Sequence, residues 1–235
     1  MKTIGLLGGM HWESTAAYYQ TINTVVREQL GGVHSASCLV RSVDYHPIRQ
    51  SLLDGQWGDV GQALAEAARS LERGGADFLV ICTNIMHKVA APVRAAVGIP
   101  LLHVADVAAC RLRAAGFSRV GLVGTRQVME QDFHRQPLER LGLEIITPDA
   151  EERRWCHELI ARELWCGPLR ETERGTMREM LAGMAARGAQ VILVACTALA
   201  PHLTHEDSPV PLWESDALHA HEAALVGLEE VPLPE

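Results

Sequence analysis

The chain has 235 residues, 48% of them hydrophobic and 21% charged, with a formal net charge of −8 at pH 7. That length buries a sizeable core, as one large domain or two small ones. The acidic balance excludes the basic footprint of a protein that binds nucleic acid or an anionic membrane, and an anionic substrate has to be attracted locally. No stretch reaches the ~18 apolar residues of a membrane span. Met1-Lys2-Thr3-Ile4-Gly5 leads into an apolar run stopped by Gly8-Gly9, too short for a signal peptide. The six cysteines (38, 82, 110, 156, 166, 196) form no Cys-x-x-Cys pair and no zinc-like group. They suit reduced thiols, and the expectation is a cytoplasmic protein.

In chain order, Ile4 to Leu7 reads as a buried strand, Gly8-Gly9-Met10 as a turn, and Trp12 to Leu30 as a helix whose start carries Glu13, Ser14 and Thr15. Ser37 to Val43 is a second strand, followed by a loop, Asp44-Tyr45-His46-Pro47-Ile48-Arg49. A helix over Gly58 to Arg73 leads to a third strand ending at Ile81, the Thr83-Asn84 turn and a helix to Ala96. Ile99 to Val104 is a strand and Asp106 to Ala115 a helix. The cycle then restarts, with Val120 to Thr125 echoing Ile4 to Gly9. A strand at Leu143 to Ile146 and helices at Glu151 to Trp165 and Leu169 to Arg187 precede a strand ending at Cys196. Val210-Pro211-Leu212-Trp213 and a helix from Asp216 echo Ile99-Pro100-Leu101-Leu102 and the helix from Asp106.

The echoes keep their order. Gly5 matches Gly121 at an offset of 116, Gly75 matches Gly188 at 113, and Pro100 matches Pro211 at 111. An internal duplication accounts for this. Strands alternating with helices imply parallel βαβ units. The expected fold is therefore α/β, with two pseudo-symmetric domains, each a parallel sheet flanked by helices. Residues 1–115 form the first, completed by 210–235, and 116–209 form the second. Ligands of open α/β sheets sit beyond the carboxyl ends of the strands. The repeat places Thr83 and Cys196 at equivalent strand ends, on opposite walls of one expected cleft.

Cys196 precedes an expected helix, whose N-terminal dipole favours thiolate; a buried structural cysteine is the alternative. Cys82 alternates away from Thr83 and reads as core. Thr83, Asn84 and Thr197 suit helix capping, anion binding by main-chain N–H groups, or both. Arg49 suits a carboxylate clamp or a solvated surface position. Gly5 to Gly9 lacks the Gly-x-Gly-x-x-Gly spacing of a dinucleotide loop. His11 and His87 lie near strand ends, as structural or supporting groups. His202 with His205, and His219 with His221, lack the carboxylate or thiolate that would complete a metal site, so no metal is expected.

The chain resembles the aspartate/glutamate racemase family, the cofactor-independent (PLP-independent) amino-acid racemases. Within it, the likeness is to the bacterial branch of broad-specificity or L-aspartate/glutamate-acting members. The resemblance spans the chain and rests on Gly8-Gly9-Met10-His11-Trp12-Glu13-Ser14-Thr15, Cys82-Thr83-Asn84-Ile85-Met86-His87-Lys88, Leu122 to Arg126, Met129 to Phe133 and Cys196-Thr197. The family's Cys-Asn-Thr-x-His and Gly-Cys-Thr-Glu motifs each carry a catalytic thiol, and these fall on positions 83 and 196. The chain departs from the pattern with Thr83 for the first thiol, Ile85 for the motif Thr, Ala198 for the motif Glu and His11 where Ser is usual.

The resemblance implies an isomerase without cofactor, acting on a small amino acid or carboxylate as a homodimer. Cys196 and Thr83 are its expected catalytic residues, and Met10, Arg49, Asn84, Ile85, Thr197 and Ala198 its substrate contacts. Racemisation needs acid/base groups on both faces of the α-carbon. With Thr83 in place of a thiol, Cys196 is expected to take the proton of an L-substrate, either aspartate/glutamate-like or less acidic. The alternatives are a decarboxylase or cis-trans isomerase of the same superfamily, or a carboxylate-binding homologue without turnover.

Overall fold

The computed structural model describes residues 1–162, 164 and 167–233. It contains two four-stranded, wholly parallel sheets. The first is built from β1 (Ile4–Gly8), β2 (Cys38–Ser42), β3 (Phe78–Ile81) and β4 (Leu101–Leu102), in the order β2-β1-β3-β4. The second is built from β5 (Arg119–Gly124), β6 (Glu144–Ile146), β7 (Val191–Ala195) and β8 (Leu212–Glu214), in the order β6-β5-β7-β8. The helices are α1 (Trp12–Leu30), α2 (Tyr45–Leu53), α3 (Trp57–Arg73), α4 (Ala90–Ala96), α5 (Val104–Ala114), α6 (Arg126–Glu130), α7 (Asp132–Arg140), α8 (Ala150–Arg162), α9 (Glu171–Ala186) and α10 (Ser215–Gly227). Among the described residues no helix is long and apolar enough to cross a membrane.

The α/β duplication is visible in the pairing. Ile4 pairs with Phe78 in the first sheet and Val120 with Val191 in the second, the offsets of 116 and 113 read from the repeat. Leu79 pairs with Leu101 as Ile192 pairs with Leu212, which reproduces the offset of 111. The chain divides into two compact units, Met1–Val107 with His219–Glu235, and Ala108–Leu218.

The central strands β1, β3 and β7 are buried at every position, which is why each reads as an unbroken apolar run. On α1, Tyr18, Ile22, Val25 and Val26 form one buried stripe, and α3 buries Val60, Leu64, Ala67, Ala68 and Leu71. Each such leucine contributes about 2 kcal/mol through the apolar area removed from water.

Several elements differ from expectation. Residues 45–53 are helical rather than a loop up to Arg49: Asp44 Oδ1 accepts the His46 N–H at 3.0 Å, and Pro47 lies in the first turn, where its missing N–H costs nothing. Two helices, α6 and α7, fill the stretch between β5 and β6. The segment after Thr83 opens as a 3-10 helix, Asn84–Val89, before α4. No α-helix starts directly after Cys196. Short 3-10 turns occupy Ala200–His202 and His205–Asp207 instead, in a segment broken by Pro201, Pro209 and Pro211. The expected end of α8 at Trp165 lies outside the described residues.

Candidate active site

In each sheet the chain order reverses between the two central strands, β1 and β3 in one and β5 and β7 in the other. Ligands of open α/β sheets bind there, beyond the carboxyl ends. Met10, Thr83, Asn84, Ile85, Cys196, Thr197 and Ala198 lie on segments that leave such ends, whereas Arg49 follows the edge strand β2.

In the first unit, the β1–α1 turn is Gly8-Gly9-Met10-His11. Gly9 has φ +92°, and a Cβ there would clash with the Val43 carbonyl oxygen. The Val43 N–H donates to the Gly8 carbonyl at 3.0 Å, so the turns after β1 and β2 are joined. Gly9→Ala combines left-handed backbone strain with a backbone clash. It is expected to cost more than about 2 kcal/mol, read as a lower denaturation midpoint. Thr15 Oγ1 completes the turn, accepting the Gly9 N–H at 3.0 Å and donating to the His11 carbonyl at 3.3 Å.

Thr83 is extended (φ −157°, ψ 122°) and buried, and its hydroxyl caps nothing. It donates to the Cys82 carbonyl at 2.7 Å, and Ser14 Oγ donates to the same oxygen at 2.6 Å. The hydroxyl proton of Thr83 is thereby committed, while its oxygen lone pairs remain acceptors. Asn84 is buried, and Ile85 is half-buried over the first unit's core. Cys82 is wholly buried, in the core as expected. The Met10 side chain is likewise fully buried, so Met10 has only its main chain to offer a ligand. Arg49 is exposed on α2, with no ion-pair partner among the described residues, and its charge acts on Tyr45 one turn earlier.

Under the Thr83 turn lie three buried histidines. The His87 ring centroid is 4.4 Å from that of His103 and 5.5 Å from that of His219. His87 Nε2 donates to the Ile81 carbonyl at 3.2 Å, and His219 Nε2 donates to the Leu102 carbonyl at 3.1 Å. His219 Nδ1 therefore accepts the Tyr18 hydroxyl, at 2.9 Å. Burial holds its pKa down at about 4, so the ring is neutral. With both nitrogens bonded inside the protein, His219 is a structural residue. Among the described residues no cluster of His, Cys, Asp or Glu could hold a metal ion.

In the second unit, Cys196 follows β7 and is 6% exposed. Burial pushes its thiol pKa up to about 12; the Leu199 and Ala198 N–H groups at the sulfur pull the other way, and the nearby Asp216 charge adds to the rise. The helix whose dipole was expected to favour a Cys196 thiolate is absent from the segment that directly follows it. Two N–H groups are there, but no helix dipole follows, and desolvation wins. Thr197 and Ala198 are half-buried. Cys156, wholly buried on α8, directs its sulfur at the Gly124 carbonyl at 3.7 Å, and burial holds it protonated.

Polar groups at the end of β5 went unnoticed in the sequence. Thr125 Oγ1 and Gln127 Oε1 are buried and have no hydrogen-bond partner among the described residues. Buried polar groups are rarely left so unless a ligand or water supplies the partner. The signal that points to Thr125 is the echo of Gly8-Gly9 in Gly124-Thr125.

A family model for Asp/Glu/hydantoin racemases matches residues 7–223. The broad-specificity amino-acid racemase RacX of Bacillus subtilis (strain 168) is 22% identical over 91% of this chain and 93% of its own. A Yersinia pestis protein proposed to be an Asp/Glu racemase is 44% identical in its crystal structure. It superposes with a TM-score of 0.91, covering 97% of this chain and 100% of that one. An aspartate racemase homologue from Pyrococcus horikoshii OT3 is 28% identical, with a TM-score of 0.83 over 97% and 100% of the two chains. The chain belongs to the Asp/Glu/hydantoin racemase family.

Proposed function

We propose that this protein is a cofactor-independent amino-acid racemase in which Cys196 removes the α-proton of an L-substrate and Thr83 serves the opposite face. The observation that carries the reading is the pair of main-chain N–H groups, from Ala198 and Leu199, at the sulfur of Cys196. They sit where a thiolate would need them, at the strand end matched by the repeat to Thr83. The thiol is protonated in the free protein, so substrate must help to ionise it. An α-ammonium group beside the sulfur lowers a thiol's pKa by charge attraction.

The thiol first gives its proton to solvent; the α-proton then passes to the Cys196 thiolate, and the electron pair of the C–H bond moves into the α-carboxylate as an enediolate. Main-chain N–H groups of Asn84, Ile85, Thr197 and Ala198 hold that developing charge. Met10 contributes through its main chain, and Arg49 draws the carboxylate in against the protein's net negative charge. Thr83 is no thiol, and its hydroxyl proton is spent on Cys82. Its lone pairs are suited to orient a water that returns a proton to the other face. The substrate is aspartate/glutamate-like or a less acidic relative, and the setting is a cytoplasmic homodimer.

The test is proton NMR with chiral chromatography in deuterated water, across single L- and D-amino acids with no added cofactor. Exchange at the α-carbon with D-product from an L-substrate is the expected result. A folded, reduced sample that exchanges nothing, but releases carbon dioxide from a disubstituted malonate, would replace the racemase with a decarboxylase. Thermal stabilisation by carboxylates with neither reaction would leave a binding protein.

A further inference from the structure

Met10, Tyr45 and Ile85 pack on one core cluster in the first unit, and they reach it from three consecutive strand ends, those of β1, β2 and β3. His11 adds its ring to this fringe, 4.8 Å from the Tyr45 ring and tilted by 57°, instead of capping α1. The two rings are held together by the backbone joint between the turns after β1 and β2, where Val43 donates to Gly8. Burial holds the His11 pKa down at about 3, so this ring carries no charge at neutral pH. Arg49 stands in solvent on α2, where screening weakens its hold on a carboxylate, and the half-buried Lys88 is engaged over the Trp57 ring, 3.9 Å from its centroid.

We propose that His11 and Tyr45 form the wall against which the substrate's side chain lies, and that the wall selects an uncharged aliphatic or thioether side chain over a carboxylate. This rests on the racemase reading for the identity of the site, and goes beyond it in naming the side-chain class. The physical reason is desolvation. A second carboxylate set against two neutral rings and Ile85 would lose its water without gaining a buried cation, whereas an aliphatic chain gains from the same burial. The hydroxyl of Tyr45 leaves one polar edge on the wall.

The test pairs calorimetric binding with α-proton exchange, using L-leucine, L-methionine, L-aspartate and L-glutamate on the parent protein, on His11→Ser and on His11→Ser/Tyr45→Ala. In the parent, leucine and methionine are expected to bind about tenfold or more tightly than aspartate. The double variant should narrow that preference to about threefold or less, because the wall is gone. Melting curves show whether each variant is folded. His11→Ser carries the comparison if the double variant is not, since serine is a good helix N-cap.

Tighter binding of aspartate by the parent, or a preference that no variant moves, overturns the wall. If the binding preference holds and falls in the variants while no amino acid exchanges its proton, the wall stands and the racemase reading fails. Exchange restricted to aspartate and glutamate, with an unmoved preference, does the opposite. Absence of binding by all four overturns both.

Discussion

Cys196→Ala is expected to lower α-proton exchange of an L-substrate by about a thousandfold or more, the usual worth of a positioned general base together with what it organises. The melting temperature should barely change, because alanine leaves only a small void at a strand end. The pH dependence is the sharper part of the result. A free thiol with a pKa of about 12 is protonated throughout the neutral range. A base that must first lose its proton gives kcat/KM rising with pH, about tenfold per unit between pH 7 and 9. Alkylation of Cys196 by iodoacetamide should rise in parallel in the free protein. An alkylation rate that levels off near pH 7 would show a thiolate already formed, and the burial argument would fail. Cys196→Ala that retains parental exchange would remove the mechanism altogether.

Asp207→Ala is expected to be the most destabilising single change away from the strand ends. Its carboxylate is fully buried and takes the Arg174 guanidinium at 2.6 Å, the Arg178 guanidinium at 2.7 Å and the Thr204 N–H at 2.9 Å. Burial alone would raise its pKa, but the Thr204 N–H and the two arginines outweigh it and hold the group at about 2. Removing the carboxylate strands two cations against α9. Both arginines keep some access to water, so the cost falls at the low end for a broken buried pair, about 3 kcal/mol. For a chain of this size that is a fall of roughly 10 °C in Tm. The folded pKa lies below the unfolded value. Asp207 therefore contributes its full stability above about pH 4 and loses it as pH falls toward 2. Thermal melts from pH 5 to pH 2 should show the parent losing stability through that window and Asp207→Ala losing less. Equal slopes would mean that the arginines do not hold Asp207 ionised.

Much of the fold was legible because strands buried on both faces leave unbroken apolar runs, such as Val191 to Ala195. The duplication was legible because those runs open with the same Gly-Ala pair. The helix at Tyr45–Leu53 was hidden by Pro47, which reads as a loop residue until Asp44 is recognised as the cap of a first turn. The protonation state of Cys196 was hidden for a different reason. A sequence shows that a cysteine follows a strand, but its pKa depends on the balance between two N–H groups and the water excluded from around them. The wall made by His11 and Tyr45 was equally out of reach, since 34 positions separate them and only the joined turns bring them together.

The shrinking offsets of the repeat, 116, 113 and then 111, carry a consequence for engineering. The second copy is shorter than the first, yet the pairing of β1 with β3 and of β3 with β4 recurs unchanged in β5, β7 and β8. Every gain or loss of length between the copies was therefore absorbed in the connections. A peptide tag spliced into the connection between α7 and β6, around the exposed Gly142, follows that precedent. A single residue inserted within β7 would turn each following side chain to the other face of the sheet and carry Cys196 out of its place.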